Sequence, residues 1–160
     1  MIDKVLFSSA NDNWATPQSV FEPLNAEFAF TLDPCCHVHT AKCAKYFTAK
    51  DDGLRMSWHG EKVFMNPPYG KSISLWMKKA YEEAQAGATV VCLVPARTDT
   101  KWWHEYSMKS NEIRFCKGRI RFIAANDNEV LGEKETATFP SAVVIFRNDI
   151  VKKPVLGVLR

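Results

Sequence analysis

Asn66, Pro67, Pro68 and Tyr69 follow directly on the apolar run Val63 to Met65, in the stretch VFMNPPYG. Two prolines cannot continue a hydrogen-bonded ladder, so the run ends in a stiff, extended turn. In open α/β sheets, ligands bind outside the carboxyl ends of strands, and this turn lies at such an end. A turn locked by proline presents the Asn66 amide oxygen and the Pro67 carbonyl as acceptors in fixed relation, beside the flat ring of Tyr69. Two acceptors and an apolar face suit a planar group bearing an NH₂, such as a nucleobase. Accepting both N–H bonds of an exocyclic amine raises electron density on its nitrogen and favours the pyramidal geometry of attack. Against a sulfonium methyl group, transfer then needs in-line alignment rather than a strong base. The bland alternative is a proline turn with Tyr69 packed on the core.

Other residues that could do chemistry are less specific. The segment DPCCHVHTAKC offers Cys35, Cys36, His37, His39 and Cys43, but no distant second pair of ligands completes a zinc pattern, so no metal is expected. Ser, His and Cys residues form no nucleophile–base arrangement. Trp102 and Trp103 are an interface or base-stacking element, or core; helical spacing favours core for at least one. His104 reads as a surface or capping residue. Lys117, Arg119 and Arg121 flank an expected edge hairpin, with Arg97 and Lys101 after the central strand. They form either a phosphate-binding rim or a solvated face. Phe139 either opposes Tyr69 across a bound base or packs in the core.

The elements that must position these residues follow from pattern. Helix-start signals at Thr16 (as cap) and Pro17 precede Val20, Phe21, Leu24 and Phe28 at helical spacing, with Pro23 as a possible break. FAFTLDP reads as a short strand, HTAKCAKYF as a short helix, DDGL as a turn and KVFMN as a strand. SISLWMKKAYEEAQAG is an amphipathic helix closed by Gly87. ATVVCLVPA, apolar on both faces, is the central strand of a mainly parallel sheet. DTKWWHEYSMKS fits a helix capped by Asp99. EIRFCKGRIRFI and SAVVIF close the fold, separated by a polar loop from Ala124 to Thr138. Alternating strands and helices give an α/β class with helices on both sheet faces.

The chain has 160 residues, 46% of them hydrophobic, with a net charge of +3. That size fits one domain with a real core. The charge permits a polyanionic partner without requiring one. Five cysteines and no apolar N-terminal stretch point to reduced thiols and a cytoplasmic protein, with no membrane span. Cys92 and Cys116 read as small core residues.

The tetrapeptide resembles the signature of S-adenosylmethionine-dependent amino-methyltransferases. NWATPQ, LDPCC, KYFT, DDGL followed by Trp58, VFMNPPYG, VPART, GRIRF and FPSAVVIF occur in the order of the phage-type DNA N-6-adenine methyltransferase family, from about Asn13 to Arg147. The resemblance implies a trimmed class I, Rossmann-like methyltransferase fold over residues 1–160, with a closing antiparallel hairpin and no separate target-recognition domain. It implies S-adenosylmethionine as cofactor and duplex DNA, with the adenine flipped out, as partner. Trp14, Thr16 and Pro17 would then lie near the methionine end of the cofactor, a helix N-terminus being suited to its carboxylate. Asp33, Pro34 and Cys35 would shape the cofactor site, and Asp52 and Leu54 would sit near the adenosine. Asn66, Pro67 and Tyr69 would hold the target adenine, with Pro68, Phe139, Arg119 and Lys71 also on the substrate side.

This chain departs from the wider methyltransferase pattern. No Gly-rich loop follows Asp33. Only about thirty residues separate Asp33 from Asn66, about the length of a single βαβ unit, so the sheet between them must be trimmed. Adenine in duplex DNA must be extruded to be reached. The polar segment from Ala124 to Thr138 is the expected reader of sequence. Two alternatives keep their place: an amino-methyltransferase acting on RNA or a protein glutamine, and a DNA-binding relative without catalysis.

Overall fold

The computed structural model describes residues 14–125, 128–149 and 152–159. A seven-stranded sheet runs in the order β10-β6-β9-β5-β4-β2-β3. Its members are β2 (Leu32–Asp33), β3 (Lys45–Tyr46), β4 (Lys62–Met65), β5 (Thr89–Pro95), β6 (Glu112–Cys116), β9 (Ser141–Phe146) and β10 (Val155–Leu159). The β3, β2, β4 and β5 strands are mutually parallel, β9 is antiparallel to both β5 and β6, and β10 runs parallel to β6. A smaller sheet joins β1 (Trp14–Ala15), β7 (Arg121–Ala125) and β8 (Val130–Thr136), all antiparallel.

Strand β5 is central, and Val90 to Pro95 are all buried, as a run apolar on both faces requires. Helix α1 (Gln18–Phe28) covers one face, where Phe21 meets Phe64 of β4 edge-on at 5.1 Å. The next side chains along a strand point the opposite way. Accordingly α2 (Ile73–Gln85) lies on the other face, with Tyr81 against Phe146, whose β5 partner is Val90. The short α3 (Lys101–Glu105) packs beside α2. The expected α/β class, mainly parallel sheet and two-sided helical cover are all present.

The trimming forced by the short Asp33–Asn66 interval is visible as a strand order. β2 pairs with β4 on one side and β3 on the other, without a crossover helix between them. The residues expected to be a helix from His39 to Phe47 instead give a single 3₁₀ turn, Val38–Thr40, and β3. Too few apolar positions recur there for a helix to bury a face.

Several boundaries differ from the pattern. Pro17, in extended conformation, takes the N-cap position of α1, because the Thr16 hydroxyl is engaged elsewhere. Pro23 lies inside α1 without ending it. Thr100, not Asp99, caps α3, its hydroxyl accepting from Trp103 N–H at 3.4 Å. The polar segment from Ala124 to Thr138 is not a loop: it contains β8, paired with β7 through two register irregularities. Val130, Gly132 and Thr136 there are exposed, and the strand takes its order from pairing with β7. Nor do β6 and β7 form a hairpin; they enter different sheets across a turn at Gly118, whose φ is 77°.

Trp102 and Trp103 are both core, and His104 bonds through Nε2 to the Thr98 carbonyl at 2.7 Å. Cys92 is buried, whereas Cys116 is only half-buried. Among the described residues no helix is long and apolar enough to cross a membrane.

Candidate active site

The carboxyl ends of β2 and β4 open onto a cleft whose enclosed space is about 100 Å³. Trp14, Thr16, Asp33, Pro34, Cys35, Asn66 and Pro68 line it together. These come from three sequence segments that the parallel β2–β4 pairing and the β1 strand bring side by side. Lys42, Thr40, Thr48, Phe64 and Trp76 also line the cleft. The sequence offered no signal for the first three, which come from irregular chain; Phe64 and Trp76 read as ordinary core positions.

Asn66 is the best-defined group in the cleft. Its Nδ2 donates to the Trp14 carbonyl at 2.5 Å and to the Thr16 hydroxyl at 3.0 Å. A backbone carbonyl can only accept, so the nitrogen end must face it. The opposite end, Oδ1, is buried and has no hydrogen-bond partner. A buried acceptor left without a donor costs about 1–3 kcal/mol, so a ligand that supplied a donor to Oδ1 would be favoured by that amount.

Asp33 ends β2 at 4% exposure. Its carboxylate accepts from the Lys42 N–H at 3.0 Å and the Cys35 N–H at 3.4 Å, which ties the irregular chain after β2 into a fixed loop. Burial raises its pKa to about 6, opposed by those two backbone donors. Burial and the neighbouring Asp33 carboxylate push the Cys35 and Cys36 thiols well above their usual range, so both are neutral thiols rather than nucleophiles. Among the described residues, no group of three or more His, Cys, Asp or Glu side chains is arranged to hold a metal.

The Asp52–Leu54 turn supports the cleft from behind instead of lining it. Asp52 adopts a left-handed φ of 56° and pairs with Arg55 at 3.1 Å. Gly53 lies so close to Pro34 that an added Cβ would stand 2.0 Å from the Pro34 carbonyl oxygen. Trp58 donates to the Gly53 carbonyl at 3.0 Å and stacks on Trp76 at 6.4 Å, which fixes this turn to α2. Leu54 packs against the core.

Tyr69 differs from the open platform expected of it. Its ring is 5% exposed, and its hydroxyl donates to the Leu93 carbonyl at 3.3 Å. It meets Phe139 edge-on at 5.6 Å and Phe122 at 6.1 Å, and Trp14 meets Phe122 and Phe139 in the same way. Tyr69 and Phe139 are thus in contact, with no space between them for a base. The apolar side chains of a sequence cannot reveal this, because a stacking ring and a packed ring have the same residue type. Pro67 is buried beneath the turn, and Lys71 is exposed just before α2.

Pro17 and Arg119 line a second cleft, with Ser19, Lys117, Arg121 and Leu159. Lys117, Arg119 and Arg121 are exposed there, and among the described residues no acidic side chain lines the cleft.

The model of the DNA N-6-adenine-methyltransferase (Dam) family matches residues 4–157. The chain belongs to that family. It is 30% identical over 141 residues to the DNA N-6-adenine-methyltransferase of Haemophilus phage HP1, covering 86% of this chain and 80% of the relative. It is 28% identical over 107 residues to the enzyme of the same name from Escherichia phage T1, covering 66% of this chain and 44% of that one. The expected family and its activity, methylation of adenine in DNA, stand on this match. For a DNA N-6-adenine methyltransferase, an orphaned amide oxygen at a strand end is a chemically apt feature: the group to be methylated is an amine with hydrogen-bond donors.

Proposed function

We propose that this chain transfers a methyl group from S-adenosylmethionine to the 6-amino nitrogen of an adenine extruded from duplex DNA onto the Asn66–Tyr69 turn. The observation that carries this reading is the Asn66 side chain, held at both Nδ2 protons with its buried Oδ1 left open. An adenine amine donates one N–H to Asn66 Oδ1 and the other to the Pro67 carbonyl. The nitrogen lone pair is then less drawn into the ring and more available for attack. Both acceptors are fixed before the substrate arrives, so little reorganisation accompanies the reaction. The nitrogen becomes cationic, and so acidic, only as the methyl group leaves the sulfonium as a neutral thioether; one of its own protons then passes to solvent, and no side chain need act as a strong base.

The cleft fits the proposed cofactor. It combines apolar walls from Trp14, Phe64, Pro68 and Trp76 with the carboxylate of Asp33. That mixture suits a molecule with a flat nucleoside and a charged amino-acid end. When bound, S-adenosylmethionine supplies an electrophilic methyl group. Asp33, Pro34 and Cys35 would hold it on the loop after β2, and Trp14 would wall it from the side of the small sheet. Asp52 and Leu54 would act through the Pro34 loop that Gly53 supports. Tyr69 and Phe139 would form a closed apolar wall beside the adenine, not two faces of a slot that holds it.

Lys117, Arg119 and Arg121 in the second cleft would neutralise backbone phosphates beside the extruded base, with Lys71 contributing near the turn. The β7–β8 hairpin, built from the segment expected to read sequence, would lie against the DNA.

The deciding experiment follows labelled methyl from S-adenosylmethionine to genomic DNA, RNA and protein in parallel, with Asn66→Ala as control. Label on N6 of DNA adenine that vanishes in the variant is the expected result. Label on RNA or on glutamine keeps the chemistry and replaces the acceptor. Cofactor binding without label on any acceptor overturns the reading.

A further inference from the structure

We infer that Thr16 is a positioning residue for Asn66, setting which end of its amide faces the substrate, and is not primarily a contact to the cofactor. This rests on the proposed role of Asn66 Oδ1 as acceptor for the target amine.

A carboxamide has two ends of nearly equal size and opposite hydrogen-bonding character. Turned through 180°, Asn66 would present an NH₂ to the incoming amine, and donor would meet donor. The turn would be complementary to nothing it is meant to activate. Two groups oppose that rotation. The Trp14 carbonyl accepts from Nδ2 at 2.5 Å, and the Thr16 hydroxyl accepts at 3.0 Å. Together they use both Nδ2 protons, so the amide is restrained about its terminal torsion as well as in its end-for-end sense.

Thr16 is 2% exposed and lies between β1 and α1. A threonine immediately before a helix usually caps it. Here the cap position passes to Pro17, and no side-chain cap bond is made. The Thr16 hydroxyl is spent across the cleft, on a residue fifty positions away in sequence. Its neighbour Trp14 is fixed independently by strand pairing, opposite Ala124 of β7. The small sheet therefore holds one lock on the amide, and the buried hydroxyl after it supplies the other.

The test compares Thr16→Val, which keeps shape and removes the acceptor, with Thr16→Ser, which keeps the acceptor. Three quantities are read: turnover of methyl transfer to DNA, affinity for S-adenosylhomocysteine by titration calorimetry, and the side-chain amide protons of Asn66 in a ¹⁵N–¹H spectrum of the free protein. Thr16→Val is expected to lower kcat about tenfold, the worth of one hydrogen bond near 1.4 kcal/mol. It should leave affinity for the analogue within about twofold. One Asn66 Nδ2 proton should lose its downfield position, and Thr16→Ser should restore both kcat and that resonance. A loss mainly in analogue affinity would make Thr16 a cofactor contact and overturn the inference. Unchanged Asn66 amide resonances in Thr16→Val would overturn it too. Should Thr16→Val fail to fold, Thr16→Ala is read against Thr16→Ser in the same three measurements. Asn66→Ala separates the two failures: turnover that survives in Asn66→Ala sinks the catalytic reading itself. Turnover lost in Asn66→Ala but intact in Thr16→Val sinks only the positioning role.

Discussion

Asn66→Ala removes both ends of the amide at once, and the structure assigns each end a different consequence. Loss of Oδ1 deletes an acceptor that has no partner in the free protein. Its absence costs the fold nothing and the reaction a great deal. Deleting one preorganised hydrogen-bonding group that acts on developing charge lowers kcat by about 10²–10³, or roughly 2.7–4 kcal/mol. Loss of Nδ2 leaves the Trp14 carbonyl and the Thr16 hydroxyl without their donor in a half-buried place. That costs about 1–3 kcal/mol of stability, and each kcal/mol lowers Tm by roughly 2–4 °C in a chain of this size. Affinity for S-adenosylhomocysteine should change little, because Asp33 and its loop, not Asn66, are proposed to hold the cofactor. Single-turnover transfer of labelled methyl, calorimetric titration and thermal melting measure the three effects separately. A fall in kcat below tenfold, or a loss of analogue affinity as large as the loss of turnover, would refute the reasoning.

Tyr69→Phe deletes one long hydrogen bond to Leu93 and should cost at most about 1 kcal/mol. Tyr69→Ala should destabilise the protein by about 3–5 kcal/mol, because the ring is buried among Phe122 and Phe139; equal chemical melts for the two variants would contradict that packing. Gly53→Ala places a Cβ 2.0 Å from the Pro34 carbonyl oxygen. It should shift the loop after β2 and weaken analogue binding at least tenfold; wild-type affinity would show that this loop is not part of the cofactor site. Asp33 has its pKa raised from 3.8 to about 6 by burial, so the folded state binds its proton more tightly than the unfolded state. Its contribution is present in full below about pH 4 and is lost as pH rises to about 6, a change of about 3 kcal/mol at 1.36 kcal/mol per unit. In denaturant melts, the stability of wild type relative to Asp33→Asn should fall by about that amount as pH rises from about 4 to about 7 and stay constant above it; a difference that does not change over this window would contradict the burial of the carboxyl. Lys117→Gln and Arg119→Gln should each reduce the slope of log affinity for DNA against log salt by about 1 and leave cofactor affinity unaltered; an unchanged slope would remove the second cleft from the DNA interface.

The sequence by itself determined the class of the fold, its central strand and the place of the Asn66 turn at the end of a strand. Val90 to Val94 are apolar on both faces, which only a covered central strand accommodates. Two prolines after Met65 end β4 whatever surrounds it. The position of Asp33 at the end of β2 followed in the same way from a short strand-forming run and the proline after it. These are local consequences of backbone sterics and residue type, and a chain carries them before it folds.

The tertiary structure alone decided how the site is assembled. Nothing in the pattern around Thr16 tells that its hydroxyl meets Asn66, since the expected cap and the observed partner use the same oxygen. Tyr69 and Phe139 read equally well as stacking faces and as core; only their edge-on contact makes them a closed wall. The strand β8 lies in a segment whose polar residues read as a loop, and pairing with β7 supplies its order. Gly53 looked like a plain turn residue until Pro34 came within a methyl's breadth of it. In each case the deciding term is a contact between segments far apart in sequence. Such a contact leaves no local periodicity behind, and its energy exists only once β1, β2 and β4 lie side by side.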